Sequence, residues 1–243
     1  MIFKKPVAET LQTARYENLS YQTNYCDYPE GKYSNCYSKK IGFIRAQIFL
    51  ILIMDNLRNY IRALVDFSTD SWHLLQPALT LRHFKKNEPL LEQGQVCDSL
   101  FYIDKGYCKS YYIIEGTVKN TGFFFENDIA TNVQSFGSGQ KSEFNIVACE
   151  VLTAVIFDRT KLFELAAQSI EIERLGRHCI RHFASRQEEF ANLFKLYTAA
   201  ERLSYLESKY PEILQRVSLS QLASFLGVAR ETLSRIRKRR LNP

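Results

Sequence analysis

The sequence contains few of the residues that build metal centres, disulfide frameworks and membrane spans. Among 243 residues there are four histidines, two methionines and one tryptophan, and the six cysteines include no Cys-x-x-Cys pair. Isolated cysteines argue against a disulfide framework or a structural zinc site. The longest apolar run, residues 48–54, has seven members, whereas a membrane helix needs about 18. We therefore expect a cytoplasmic protein with reduced thiols and no membrane span.

The composition is otherwise that of a globular chain with a substantial core, with 46% hydrophobic and 24% charged residues. The net charge of +6 is concentrated, because residues 230–240 carry six basic side chains and one acidic side chain. A basic cluster of this kind is typical of a surface that binds a polyanion such as nucleic acid.

The chain divides into four segments. Residues 1–53 are rich in tyrosine and have no sustained period, so we expect a poorly structured leader, and one hypothesis is a mis-annotated start with translation beginning at Met54. Residues 54–170 begin with helical patterns and continue as short β-rich runs separated by Gly, Asn and Asp every 7–12 residues. This spacing predicts an antiparallel roll and an α+β fold, since a parallel sheet would need helical crossovers.

Residues 171–197 predict one long helix. When Arg186 is counted in one slot of the apolar stripe, the stripe positions recur every 3.57 residues on average, close to a coiled-coil seam. Such a stripe either lies along its own roll or pairs with a copy of itself, and we favour pairing in a homodimer. The predicted seam consists of Ile172, Leu175, Cys179, Phe183, Phe190, Leu193 and Tyr197.

Residues 198–243 contain the pattern of a helix-turn-helix. Ser218 or Ser220 caps a short helix, and Gly227 lies where a tight turn requires a positive φ. A second helix from about 229 to 238 has an apolar side formed by Ala229, Leu233 and Ile236. In a helix-turn-helix, this second helix enters the major groove of DNA.

The outward side of the second helix carries side chains suited to DNA. An arginine can pair with guanine through two hydrogen bonds, and a glutamate can accept one from cytosine. The predicted base-reading residues are Arg230, Glu231, Ser234 and Arg235. The residues predicted to bind phosphates are Arg237, Lys238, Arg239 and Arg240.

Two motifs together resemble the cyclic-AMP receptor / fumarate–nitrate regulator (Crp/Fnr) family of bacterial transcription factors. They are LLEQGQVCDSLFYIDKG (90–106) and the helix-turn-helix ending RETLSRIRK (230–238). The resemblance implies a β-roll of the cyclic-nucleotide-binding jelly-roll type, a long dimerisation helix and a winged helix-turn-helix. It also implies a homodimer on palindromic double-stranded DNA, with RNA polymerase as a partner.

The resemblance extends to single positions of the second helix. Glu231, Ser234 and Arg235 match the E-x-x-S-R pattern with which the fumarate–nitrate branch reads TTGA-like half-sites. Arg230 matches an additional arginine of the cyclic-AMP branch.

The effector region departs from the members that bind cyclic nucleotides. Ser142 and Glu143 stand where Arg and Ser are expected, and Thr131 and Asn132 replace Gly and Glu. A carboxylate would repel a ligand phosphate, so we do not expect cyclic AMP as the effector, although a shifted register would bring Lys141 into the pocket. These five residues are the candidate effector pocket.

We expect no resident cofactor. Cys26 and Cys36 are ten residues apart and lack the close companions that hold an iron–sulfur cluster. His178 and His182 are four apart on one helix, but no third zinc ligand is evident and we interpret them as ordinary helix residues.

Two alternatives stay open beside the regulator that responds to a ligand. One is a regulator whose roll is purely structural. The other is a cupin-type β-barrel enzyme, which we do not favour because clustered His and Glu ligands and nucleophile–base pairs are lacking.

Overall fold

The computed structural model describes the backbone of residues 33–241 and the side chains of residues 47–239. Within these residues, two α-helices precede a central β-roll, one short helix interrupts the roll, and six helices follow it. The helices are α1 (Tyr33–Leu64), α2 (Thr69–Leu75), α3 (Val133–Ser138), α4 (Arg159–Ala166), α5 (Ile170–Leu196), α6 (Ala199–Lys209), α7 (Pro211–Arg216), α8 (Leu219–Leu226) and α9 (Arg230–Leu241). The strands are β1 (Leu79–Phe84), β2 (Pro89–Leu91), β3 (Ser99–Lys105), β4 (Cys108–Ile114), β5 (Thr117–Phe124), β6 (Ile129–Ala130), β7 (Asn145–Ala148) and β8 (Leu152–Asp158).

The strands form two antiparallel sheets, in the orders β1-β8-β3-β6 and β2-β7-β4-β5. Buried side chains such as Phe84, Ile103 and Ile146 belong to one apolar cluster within the roll. Gly106 turns the chain from β3 into β4 with a φ of 91°, and a Cβ atom there would lie 2.6 Å from the carbonyl oxygen of Val151. This close approach explains why the turn requires glycine. The predicted antiparallel roll and the α+β fold are confirmed.

Helix α1 begins within the segment that the sequence analysis assigns to the leader. Residues 33–53, which the sequence analysis places in a poorly structured segment, are helical, and the predicted boundary at residue 54 falls within α1. Ile53, Leu57 and Ile61 lie four residues apart and are buried against the roll and α5. The seven-residue apolar run gave no periodic signal, because every side of the helix is apolar there. The prediction for residues 1–32 and the hypothesis of a later start fall outside the described residues.

Helix α5 is the predicted long helix, but its apolar stripe packs on its own chain. Ile172, Leu175 and Cys179 are buried beside α1 and the roll, and Leu193 is buried further along. Arg186, which occupies one position of the stripe, reaches Asp128 at 3.2 Å. Of the seven side chains predicted to form the seam with a second copy, four are buried, two are half-buried and only Tyr197 is exposed in the single chain, and the seam stays a prediction.

The segment after α5 consists of helices. The described part of 198–241 contains no strand, so the wing that the resemblance implies is not observed there. Within residues 33–241, no helix combines the length and the apolar character needed to cross a membrane.

Candidate DNA-binding interface and sensor pocket

Helix α8 is fixed at both ends by its own residues. The Ser218 side chain accepts a hydrogen bond from the Gln221 backbone N–H, and the Gln221 side chain accepts one from the Ser218 N–H, which is a complete capping box. Gly227 ends the helix with a φ of 71°, and its N–H donates to Ala223 and Ser224 carbonyls. This left-handed cap is the tight turn that leads the chain into α9.

Helix α9 packs on α8 through a narrow apolar contact. Leu233 and Leu226 are fully buried and Ile236 is half-buried, whereas Ala229, assigned to the inner side by the sequence, is exposed. The contact leaves the rest of α9 on the surface. An amphipathic helix held by one side only can present its polar side to a large partner.

The structure brings the predicted base-reading residues to the exposed side of α9. Arg230, Glu231 and Arg235 are exposed and Ser234 is half-buried. The only partner of the Arg235 side chain among the described residues is Thr232 Oγ1 at 3.5 Å. These groups are therefore free to meet base edges.

The predicted phosphate-binding residues extend the same surface. Lys238 and Arg239 are exposed and Arg237 is half-buried, while the side chain of Arg240 lies outside the described residues. Among the side chains described from 47 to 239, the salt bridges include none of these cations, so their positive charge is not neutralised. An unpaired basic surface attracts phosphates in a salt-dependent way.

Two arginines that sequence reasoning missed hold the helix-turn-helix in place. The Arg202 guanidinium on α6 donates to the Leu226 carbonyl at 3.2 Å and to the Phe194 carbonyl at 2.6 Å, which ties the ends of α8 and α5 together. Arg216, the last residue of α7, pairs with Glu126 and Glu150 of the roll. The contacts of Arg216 join residues 90 and 66 positions apart, so no local sequence pattern predicts them.

Phe225 is a third residue that the sequence analysis did not single out. It lies on α8, with its ring centroid 5.4 Å from that of Phe123 in β5. The rings of Phe190 and Phe194 in α5 approach it edge-on at 5.7 Å and 5.6 Å. This aromatic cluster is the apolar base on which the helix-turn-helix rests.

The candidate effector residues fall into two groups. Thr131, Asn132 and Ser142 are buried, and each side chain forms hydrogen bonds within the protein. Asn132 Nδ2 donates to Ser142 Oγ at 2.9 Å, and Ser142 Oγ donates to the Phe144 carbonyl at 2.7 Å. Thr131 Oγ1 donates to the Ser99 carbonyl at 3.1 Å. These polar groups are satisfied by the protein itself.

Lys141 and Glu143 are the exposed pair of the candidate pocket. They line a small polar cleft whose walls are completed by Tyr112, Asn132, Gln134, Gln140 and Phe144. The cleft therefore has one cation and one anion and no guanidinium. Its chemistry suits a neutral or zwitterionic molecule better than a phosphate diester, which needs unopposed positive charge.

The remaining titratable candidates are held in apolar surroundings. His178 and His182 line a small pocket between α1 and α5 with Tyr60 and Cys179. Burial raises the pKa of the Cys179 thiol to about 11, so it is a thiol rather than a thiolate at neutral pH. No group of three potential metal ligands occurs among the described side chains.

Comparisons with known proteins agree with this architecture. Residues 81–169 match the family described as the cyclic nucleotide-binding domain. FixK2 from Bradyrhizobium japonicum is similar in structure, with a TM-score of 0.56 and 18% identity over 66% of this chain and 83% of that one. No curated protein sequence matches the chain.

Two further solved structures have the same fold. The c-di-GMP-responsive global regulator CLP from Xanthomonas campestris gives a TM-score of 0.55 and 17% identity, over 71% of this chain and 91% of that one. A protein from Eubacterium rectale, described as a transcriptional regulator of the Crp/Fnr family, gives 0.54 and 16%, over 71% and 83%. At these identities the similarity establishes the fold.

Proposed function

We propose that this chain, whose residues 81–169 form a domain of the cyclic nucleotide-binding family and whose fold is that of the Crp/Fnr regulators, is a homodimeric, sequence-specific DNA-binding transcription regulator. One observation carries the proposal. Helix α9 follows a left-handed glycine turn and presents Arg230, Glu231 and Arg235 on its exposed side. That arrangement is the one in which a recognition helix reads base edges in the major groove.

The four base-reading residues and the basic end of α9 have separate roles in this proposal. Arg230, Glu231, Ser234 and Arg235 contact bases in TTGA-like half-sites. Arg237, Lys238, Arg239 and Arg240 bind phosphates and supply affinity that does not depend on sequence. A two-fold dimer then reads a palindrome with half-sites about one helical turn apart.

The proposed dimer uses the side of α5 that faces away from the roll. Ile180 is 60% exposed in the single chain, and Ala184 and Ala191 are exposed on the same outward side. Small side chains allow two helices to approach closely, and an exposed isoleucine provides apolar area at their contact. We propose this seam in place of the one predicted from the sequence, because six of the seven side chains of the latter are buried or half-buried within the single chain.

The signal that the roll receives is proposed to be something other than cyclic AMP. The cleft carries Glu143 and lacks a guanidinium, and its buried polar groups already have partners. The latter observation also favours a second candidate, a regulator whose roll is structural and takes no ligand. Calorimetry separates the two from a cyclic-AMP receptor: cyclic AMP should give no saturable heat, and micromolar binding would contradict the assignment of Glu143.

The remaining features of the proposal follow from the regulator function. The protein acts in the cytoplasm, has no enzymatic activity, needs no resident cofactor, and works on transcription with RNA polymerase as a partner.

The decisive experiment is selection of binding sites from random duplex DNA, followed by sequencing and by measurement of the oligomeric state. We expect a palindromic consensus and a dimer. A monomer that binds every duplex equally weakly would refute the proposed function.

A further inference from the structure

The junction between the β-roll and the carboxyl-terminal helices is built around Arg216. Its guanidinium donates to both carboxylate oxygens of Glu126, with Nη1 to Oε2 at 2.6 Å and Nη2 to Oε1 at 3.1 Å. Nη2 also donates to Glu150. Glu126 follows β5 and Glu150 lies between β7 and β8, so one side chain of α7 joins two separate turns of the roll.

Aromatic contacts fix the position of this guanidinium. Its central carbon lies 5.1 Å from the centroid of the Tyr107 ring and 5.3 Å from that of Phe125. The Tyr107 hydroxyl donates to the backbone carbonyl of Arg216 at 3.1 Å. Arginine held both by paired carboxylates and by aromatic faces has one geometry, which a lysine cannot reproduce.

The charges of the junction depend on one another. Burial alone would raise the pKa of Glu126, but hydrogen bonds from Arg216 and from the Gly106 N–H outweigh it and the pKa lies below its ordinary value. The pKa of Arg216 is raised, chiefly by its hydrogen bond to Glu126. Removing the arginine would leave two neighbouring carboxylates without their cation.

A second contact of the same kind holds α8 to the β4–β5 hairpin. Asn120 is 5% exposed; its Nδ2 donates to the Gln221 carbonyl at 3.1 Å and its backbone N–H donates to Ser224 Oγ at 3.1 Å. Ser224 Oγ donates in turn to the Val118 carbonyl at 3.0 Å. The roll therefore grips the helix-turn-helix at both α7 and α8.

We propose that Arg216 is a positioning residue that locks the helix-turn-helix on the roll and thereby sets the half-site spacing that the dimer accepts. The proposal rests on the proposed function above. One base pair moves a half-site by about 3.4 Å along the DNA and rotates it by about 35°. A helix-turn-helix held at both α7 and α8 cannot follow such a shift, whereas one that has lost Arg216 keeps the α8 contacts of Asn120 and Phe225 and can pivot about them.

The test compares DNA duplexes that carry the selected palindrome with its spacer lengthened or shortened by one and two base pairs. Wild-type protein should lose at least about tenfold in affinity when the spacing changes by one base pair. Arg216→Gln should bind the best spacing less tightly and discriminate less than about threefold among the spacers. Its affinity for a single half-site should be unchanged, because no base or phosphate contact is altered.

Three further proteins complete the design. Arg216→Lys keeps the cation but loses the paired geometry, so its spacing discrimination should lie between those of wild type and Arg216→Gln. Glu150→Gln should have the same intermediate effect, and it keeps the test valid if Arg216→Gln does not fold. Arg82→Gln removes another arginine–glutamate pair, 3.0 Å long, both of whose members belong to the roll, and should leave discrimination at the wild-type level.

The outcomes are distinct. Sharp spacing discrimination that persists in a folded Arg216→Gln protein, or in Arg216→Lys and Glu150→Gln together, would overturn the inference while leaving the DNA-binding function intact. Wild-type protein without any site preference would overturn the proposed function itself.

Discussion

Replacing Arg235 by alanine should reduce specific DNA affinity without affecting the fold. The side chain is exposed, and its single described contact, 3.5 Å to Thr232 Oγ1, is longer than an ordinary hydrogen bond. A surface substitution of this kind changes the free energy of unfolding by no more than about 0.5 kcal/mol. An arginine–guanine pair contributes about 1–3 kcal/mol of base discrimination, and a dimer carries two such arginines. The expected loss at a palindrome is therefore about 2–6 kcal/mol if the half-sites are independent.

Fluorescence anisotropy at one fixed salt concentration measures this loss. The labelled duplexes are the selected palindrome and a scrambled duplex of the same length and base composition. Arg235→Ala should lower affinity for the palindrome and lower the scrambled-duplex affinity much less, whereas Arg82→Ala, at an exposed arginine of the roll, should change neither. If the ratio of the two affinities stayed at the wild-type value, α9 would not be reading bases through Arg235.

Three other outcomes follow from the same structure. Neutralising Lys238 and Arg239 together should weaken all duplexes by a similar factor. Because a dimer loses four cations, the dependence of the logarithm of affinity on the logarithm of salt concentration should fall by up to about four; an unchanged salt dependence would contradict phosphate contact. Ile180→Arg should shift the protein from dimer to monomer in analytical ultracentrifugation, since a cation replaces apolar area at the proposed seam, and a wild-type dimer constant would exclude that side of α5. The folded-state pKa of Glu126 is lowered, so its contribution to stability is fully present above the unfolded value of about 4.3 and is lost as the pH falls through the folded-state pKa. Glu126→Gln should therefore show a shallower acid decrease of the melting temperature than wild type, and parallel curves would argue against a folded-state ion pair with Arg216.

The helix-turn-helix was predictable because its determinants are local. Ser218, Gln221 and Gly227 act within ten residues of one another, and caps and left-handed turns have the same chemistry in any fold. The strands of the roll were predictable for a similar reason, since short β-rich runs between turn residues need no long-range information.

The partner of an apolar stripe was not predictable. The spacing of the apolar residues on α5 suits packing against a second helix and packing against a roll equally well. Such spacing shows which face of a helix is apolar, but it does not show which element packs on that face. In the structure this face belongs to one apolar cluster with Ile53, Leu57 and Ile61 of α1, which lie more than a hundred residues earlier in the sequence. The helical period of residues 48–54 could not be seen in the sequence, because apolar residues lie on every side of α1 there.

The effector region shows a second limit of sequence reasoning. Alignment to a family motif located Ser142 and Glu143 in one cleft, but it did not distinguish a side chain that lines the cleft from one that holds its wall together. Ser142 is 3% exposed and hydrogen-bonded on both sides, whereas Glu143 faces solvent. A ligand that entered the cleft would thus meet Glu143 and Lys141 first.

The ion pairs of Arg216 show how local sequence and long-range contacts act together. The residues that would read DNA are set by local sequence, but the direction in which they point is set by contacts that span 90 residues, from Arg216 to Glu126, and 66 residues, from Arg216 to Glu150. Both carboxylates belong to turns of the roll, and Gly106, which donates its N–H to Glu126 at 2.8 Å, directly follows β3. A displacement of that turn would therefore move the carboxylate that holds α7, and with it the helix-turn-helix. In the proposed regulator, this turn would connect the roll to α9 whether the roll binds a ligand or is purely structural, because in both cases Glu126 joins Gly106 to Arg216.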